Sequence, residues 1–129
     1  GAFGEVDIEG DASNVIFTGY VSDELLQTLY RNASGFVYMS LYEGFGLPVL
    51  EAMKSEVPVL ASNTTSLAEI ASKHCLSCSP IDLHEITKYM NKLPQVEEKT
   101  IKKAKEYASS FSWDLAVNKL NSLLKGLEI

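Results

Sequence analysis

Apolar and polar positions change period repeatedly along the chain, and each change marks an exchange of strand for helix. Asn14 to Gly19 (NVIFTG) is a short β-branched and aromatic run closed by glycine, which predicts a buried strand. Ser22 then stands as an N-cap before DELLQTLYRNA, where Leu25, Leu26, Leu29 and Tyr30 recur at helical spacing and Asp23 and Glu24 fill the first turn. Gly35 to Ser40 (GFVYMS) is continuously apolar, as in a strand of a parallel sheet covered on both faces. Val57 to Ser62 (VPVLAS) repeats that pattern, with Pro58 tolerable near the strand's beginning, and SLAEIAS follows as a helix. CLSCS reads as a further short strand. Asp82 caps LHEITKYMNKL, whose Leu83, Ile86, Met90 and Leu93 share one face and which Pro94 ends. A charged helix is expected from about Gln95 to Ser109, and FSWDLAVNKLNSLLKGL closes the chain as an amphipathic helix. Only residues 1–13, glycine-rich and acidic, lack a period and read as loop. The alternation β-α-β-α-β-α predicts an α/β, three-layer, Rossmann-like parallel sheet in one domain over residues 1–129.

One stretch breaks the packing pattern. Leu41 to Ser55 (LYEGFGLPVLEAMKS) follows the second strand, where open α/β sheets bind ligands. Gly44 and Gly46 permit positive φ and a close approach of the main chain to a ligand. Pro48 fits a first helical position, where its missing N–H costs nothing. The free amides near residues 46–50 and the positive end of the helix dipole then suit phosphate or clustered hydroxyls. Glu51 is the sole charge between Gly44 and Met53, so VLEAM should be buried on most sides with one acid projecting. A plain structural account also exists: glycine turns precede many helices, and an acid near a helix start gains up to ~1 kcal/mol from the dipole.

The run E-G-F-G-L-P-x-L-E-A-M resembles the signature of the group 1, retaining, nucleotide-sugar glycosyltransferases of GT-B fold, with Glu43 and Glu51 as the acids of E-x7-E. The resemblance extends through NVIFTGYVSDELLQTLYRNASGFVYMS before the motif, VPVLASNTTSLAEI after it and FSW near the end. It implies that Glu43 meets the donor sugar's hydroxyls as the catalytic acid residue, that Glu51 binds the nucleotide ribose, and that the amides of Gly44, Phe45, Gly46 and Leu47 face sugar and diphosphate. The S-N-T-T cluster at the end of the third strand, Ser62, Asn63, Thr64 and Thr65, offers further candidate contacts, Asn63 and Thr64 foremost, with turn formation and helix capping as the equal alternative. The implied fold is the C-terminal half of a GT-B enzyme without the first strands of that domain. The implied donor is a nucleotide diphosphate sugar, with no separate cofactor and no metal. The acceptor, a glycan, lipid or small molecule, would be held by an N-terminal domain outside these residues. Two consequences are expected: no basic segment here meets the donor phosphates, Arg31 lying on a helix, and the 129 residues alone do not transfer sugar. Two glycines usual in the family are replaced, by Glu56 and Ser72, each at a helix exit that commonly wants a left-handed residue.

Charge and composition narrow the partners. A net charge of −6 and a pI near 4.9 argue against non-specific nucleic-acid binding. No apolar run approaches the ~20 residues of a membrane span, and no secretory leader opens the chain, so a cytoplasmic location is expected. Lys99, Lys102, Lys103 and Lys105 form a basic face, solvated by default, with peripheral contact to an anionic membrane as the alternative. Cys75 and Cys78, with His74 and His84, fall short of a structural zinc set and read as buried thiols on opposite strand faces in a reducing compartment. The sequons at Asn32 and Asn63 carry little weight without a leader. Two competing functions stand beside donor binding: a non-catalytic α/β partner-binding or regulatory module, and a sugar-nucleotide epimerase, the latter disfavoured by the lack of further acids and histidines.

Overall fold

The computed structural model describes residues 10–71 and 73–127. Three parallel strands form the sheet in the order β1-β2-β3: β1 (Phe36–Tyr38), β2 (Val59–Ser62) and β3 (Leu76–Cys78). Phe36, Val37 and Tyr38 lie beside Val59, Leu60 and Ala61, and Leu60 to Ser62 lie beside Leu76 to Cys78. The central strand β2 is buried at all four residues, as its unbroken apolar pattern requires.

The helices are α1 (Asp23–Asn32), α2 (Leu47–Lys54), α3 (Thr65–Ala71), α4 (Leu83–Met90), α5 (Glu98–Ser109) and α6 (Trp113–Lys125), with a 3-10 turn at Leu93–Gln95. Ser22, Asp82 and Ser112 cap α1, α4 and α6 by accepting from the amides of Leu25, Glu85 and Leu115. The main core joins Tyr30 of α1, Val49, Ala52 and Met53 of α2, Leu67 and Ile70 of α3, and Ala104 and Ala108 of α5 against Val59 and Ala61. A smaller cluster on the other face of the sheet holds Leu60, Cys78 and Leu93, with Ile86 and Tyr89 of α4 against them. The two cysteines divide as expected, Cys75 packing on the main core and Cys78 in the smaller one. Burial pushes the Cys75 thiol up to about 12.

Four expectations change. Asn14 to Gly19 forms no strand: Asn14 lies in a turn and the rest is irregular, with Val15, Ile16 and Phe17 exposed. None of the three strands pairs with this run, so its amides have no ladder and turn to water. On α4, Ile86 and the following Leu93 are the residues of the apolar face that pack; Leu83 and Met90 point outward, and the helix stops four residues before Pro94. The charged helix starts at Glu98 and not Gln95, the intervening residues being taken by the 3-10 turn. α6 forms where expected but buries none of its residues, leaving Trp113, Leu120, Leu123 and Leu124 exposed. The expected loop over residues 1–13 lies mostly outside the described residues, as does Ser72.

Candidate functional site

The loop from Ser40 to Gly46 leaves the carboxyl end of β1 and enters α2. Its shape is imposed at Gly46, which caps the helix at φ 96; a Cβ there would run into Leu67 Cδ2 from α3. Gly44 differs from the sequence expectation. Its φ is not positive and a Cβ on it would meet nothing within 4 Å, so no neighbour in this fold demands glycine there. Pro48 sits in the first turn as predicted. Val49, Leu50, Ala52 and Met53 are buried while Glu51 is exposed, the single projecting acid foreseen from the sequence.

The amides of Val49 and Leu50 both donate to the Gly46 carbonyl. Those of Gly44, Phe45, Gly46 and Leu47 donate to no acceptor among the described residues. Since Pro48 has no N–H, these groups form a row of free donors at the positive end of α2. Glu43 and Glu51 flank them in sequence. Phe45 is half-exposed and leans edge-on against Phe111 of the FSW run, centroids 6.0 Å apart, and Lys54 Nζ donates to the Phe111 carbonyl at 3.1 Å.

Hydroxyl groups from the β2–α3 connection hold the loop from behind. Ser62 Oγ donates to the Ser40 carbonyl at 2.7 Å, and Thr64 Oγ1 reaches the carbonyls of Ser40 and Leu41 at 3.4 Å. Glu43 N–H donates to Thr65 Oγ1 at 3.2 Å, and Ser66 Oγ donates to the Glu43 carbonyl at 2.9 Å. Thr65 makes its contact at φ 50, a costly conformation for a β-branched residue. The S-N-T-T cluster therefore works as a latch. Thr64 is engaged within the protein, while Asn63 is exposed and uses its backbone amide to bond the Cys78 carbonyl.

Each acid has a tyrosine beside it. Tyr38 donates to Glu43 Oε1 at 2.6 Å, whereas Tyr30 lies 3.5 Å from Glu51 Oε2, the outer limit of a hydrogen bond. The bond to Glu43 is the main cause lifting Tyr38 to about 12; for Tyr30 the main cause of a similar value is burial, followed by the Glu51 charge. A cleft of about 510 Å³ opens beside Glu51, walled by Asp23, Gln27, Tyr30, Arg31 and Lys54. Arg31, set aside on sequence grounds as a helix residue, thus shares the Glu51 cleft. A second cavity, of about 110 Å³ and lined by Pro58, His74 and Cys75 among others, lies at the starting ends of β2 and β3 and includes no motif residue. Among the described residues no His, Cys, Asp and Glu side chains cluster in a way that could hold a metal ion.

Sequence reasoning missed Tyr38 and Ser66, and gave Ser62, Thr64 and Thr65 as ligand contacts or turn residues, not as the latch on the Glu43 loop. The strand period places Tyr38 on the face of Phe36 at the last residue before the loop, a usable signal; the latch depends on β1 and β2 being neighbours, which no local pattern encodes.

A parallel α/β sheet with a glycine-capped helix opening at a strand's carboxyl end defines a Rossmann-like ligand-binding domain. The chain belongs to the glycosyl transferases group 1 family, whose model matches residues 6–111. It is 43% identical over 101 residues to O-antigen chain mannosyltransferase B of Escherichia coli, an alignment covering 76% of this chain and 26% of that protein. It is 37% identical over 121 residues to the serotype-specific mannosyltransferase WbdA of the same organism, covering 88% and 15%. With mannosylfructose-phosphate synthase of Agrobacterium fabrum the identity is 33% over 124 residues, covering 91% and 27%. The chain thus spans about a quarter or less of these relatives. The crystal structure of TarM superposes with a TM-score of 0.65 at 22% identity, covering 82% of this chain and 22% of that one, and agrees with the GT-B type of α/β fold.

Proposed function

We propose that these residues form the donor-binding domain of a retaining glycosyltransferase that moves a sugar from a nucleoside diphosphate to an acceptor, and that the sugar is mannose. The observation that carries this reading is the row of free amides from Gly44 to Leu47 at the start of α2, flanked by Glu43 and Glu51. Free amides at a helix N-terminus suit a diphosphate, and they stabilise the negative charge that grows on it as the sugar departs. Glu51, exposed in the cleft and only loosely bonded to Tyr30, accepts from the two ribose hydroxyls. Glu43 binds sugar hydroxyls and stabilises positive charge developing at the anomeric carbon. Holding leaving group and sugar together lets departure and attack occur on one face, which retains configuration. The names of the relatives support mannose. A cytoplasmic location fits two free thiols and the absence, among the described residues, of any helix long and apolar enough to cross a membrane. The acceptor is held by residues outside this chain, and Asn63 is a further candidate contact to the donor.

Calorimetric titration of the chain with ADP, GDP, UDP and CDP tests the reading. One of them should bind, at a Kd of about 1 mM. Glu51→Ala should weaken it about tenfold or more, through loss of charge-assisted bonds of ~1.5–3 kcal/mol, and Glu51→Gln should lose less. Unchanged affinity in Glu51→Ala would overturn the ribose assignment. In the full-length protein Glu43→Gln should lower kcat, and an effect on KM alone would remove Glu43 from the reaction.

A further inference from the structure

Glutamate is a poor instrument for fixed geometry. Its side chain turns about several bonds, and the torsion that orients the carboxylate plane is broad and roughly two-fold. A carboxylate that must meet a sugar at one angle needs its plane held by something stiffer, to within about 10–20°. Glu51 has no such support: its one side-chain hydrogen-bond partner among the described residues, the Tyr30 hydroxyl, stands at 3.5 Å, and the residue is exposed. Glu43 is different. Its amide donates to Thr65 Oγ1, its carbonyl accepts from Ser66 Oγ, and its carboxylate accepts from Tyr38 at 2.6 Å, the length of a charge-assisted O–H···O⁻ bond. Only Oε1 is taken; Oε2 accepts from nothing among the described residues.

Tyr38 is well suited to this work. It sits at the last residue of β1 in register with the buried Ala61, so its Cα is fixed by the sheet. Its ring stacks on Phe36 at 5.9 Å with a 17° interplanar angle, and Phe36 in turn meets Tyr30 edge-on at 5.3 Å. The ring packs against the main core and brings only two rotors, so its hydroxyl is delivered from a rigid body.

Resting on the assignment of Glu43 to the donor sugar, we propose that Tyr38 is a positioning residue for catalysis: its hydroxyl locks Glu43 Oε1 so that Oε2 is presented to the sugar in one orientation. No proton is transferred; the phenol stays protonated and donates throughout.

Tyr38→Phe keeps the ring stack and removes only the donor, and Tyr89→Phe, in the smaller cluster on the other face of the sheet, is the control. In the full-length protein, turnover is followed with ADP-, GDP- and UDP-mannose as donors. Tyr38→Phe should lower kcat about tenfold with KM within about twofold, the cost of one charge-assisted bond realised in the transition state. Tyr89→Phe should change kcat by less than about twofold, since that ring packs outside the candidate site. In a Glu43→Ala background, Tyr38→Phe should have no further effect. If Glu43→Ala lowers kcat while Tyr38→Phe does not, or if the two losses simply multiply, positioning by Tyr38 is refuted and the role of Glu43 stands. If Glu43→Ala leaves kcat unchanged, the assignment of Glu43 itself fails and the proposal with it. A second measurement needs no turnover: in the 129-residue chain, carbon-13 labelling of tyrosine reads the Tyr38 phenol directly. The phenol should titrate at about 12 and fall in Glu43→Ala, with burial and the Tyr30 phenol still holding it above its ordinary value. A Tyr38 that titrates near 10 with Glu43 intact would show the lock to be absent.

Discussion

Glu56 sits directly after α2 at φ 60, a left-handed position that costs an L-residue roughly 1–2 kcal/mol and glycine little. The sequence marked this site as one where glycine is wanted, and the backbone agrees. Its carboxylate recovers part of the cost through an ion pair with Lys105 at 3.0 Å, but both side chains are nearly half exposed, so that pair contributes at most ~1 kcal/mol. Glu56→Gly should therefore raise the urea midpoint, by a net stabilisation of up to ~1 kcal/mol. A lower midpoint would mean that the ion pair outweighs the strain. Thr65 carries a similar strain at φ 50, yet its hydroxyl receives the Glu43 amide, so there the strained residue belongs to the site.

At the scale of the element, α2 organises the site because Val49, Leu50, Ala52 and Met53 are buried while Leu47 at its start and Glu51 stay exposed. The two glycines that precede it do different work. Gly46→Ala combines a positive φ with a collision against Leu67 and should destabilise the domain by ~2 kcal/mol or more, read as a lowered denaturation midpoint. Gly44→Ala meets open space at an ordinary φ and should change stability by less than ~0.5 kcal/mol while weakening nucleotide binding in calorimetry. Equal stability losses in the two variants would contradict this division of roles. α6 shows the opposite relation of element to fold: Ser112 caps it and its period is sound, yet none of its residues is buried, so its helicity rests on local terms alone.

For the molecule as a whole, the upward shifts that reach about 12 among the described residues fall on three groups: Cys75 through burial, Tyr30 through burial and the nearby Glu51, and Tyr38 through its bond to Glu43. Each titrates higher in the folded chain than in the unfolded one, from ordinary values of 9.0 for the thiol and 10.0 for the phenols up to about 12. The folded state therefore binds these protons more tightly, and the stability they confer is fully present below about pH 9 and lost as pH rises toward 12. Urea midpoints should be flat up to about pH 9 and then fall, and a Tyr38→Phe chain should fall less steeply. On the proposed donor-binding role, the 129 residues, which span about a quarter or less of these relatives, should bind nucleotide without transferring sugar. Sugar transfer by the isolated chain to a broad acceptor mixture would overturn that expectation.

The sequence by itself determined what depends on neighbours along the chain. Caps at Ser22 and Asp82, the strand at Phe36 to Tyr38, the turn at Gly46, the first-turn Pro48 and the outward Glu51 are all set by local conformational preference and by period, and each was legible before any fold was known. The motif also identified the family, because a run of fixed spacing preserves the shape of one loop. Tertiary structure decided whatever needs two distant segments to meet. NVIFTG has every local property of a strand and is none, because a ladder requires a partner and no described strand pairs with it. Ser62, Thr64, Thr65 and Ser66 read as an ordinary turn until β2 is laid beside β1, which brings their hydroxyls onto the loop that carries Glu43. Tyr38 and Glu43 lie five residues apart, but the chain must turn out of the sheet before phenol and carboxylate face each other. Hydrogen bonds of side chains across a fold depend on relative position in space, and a periodic pattern along the chain holds no record of it.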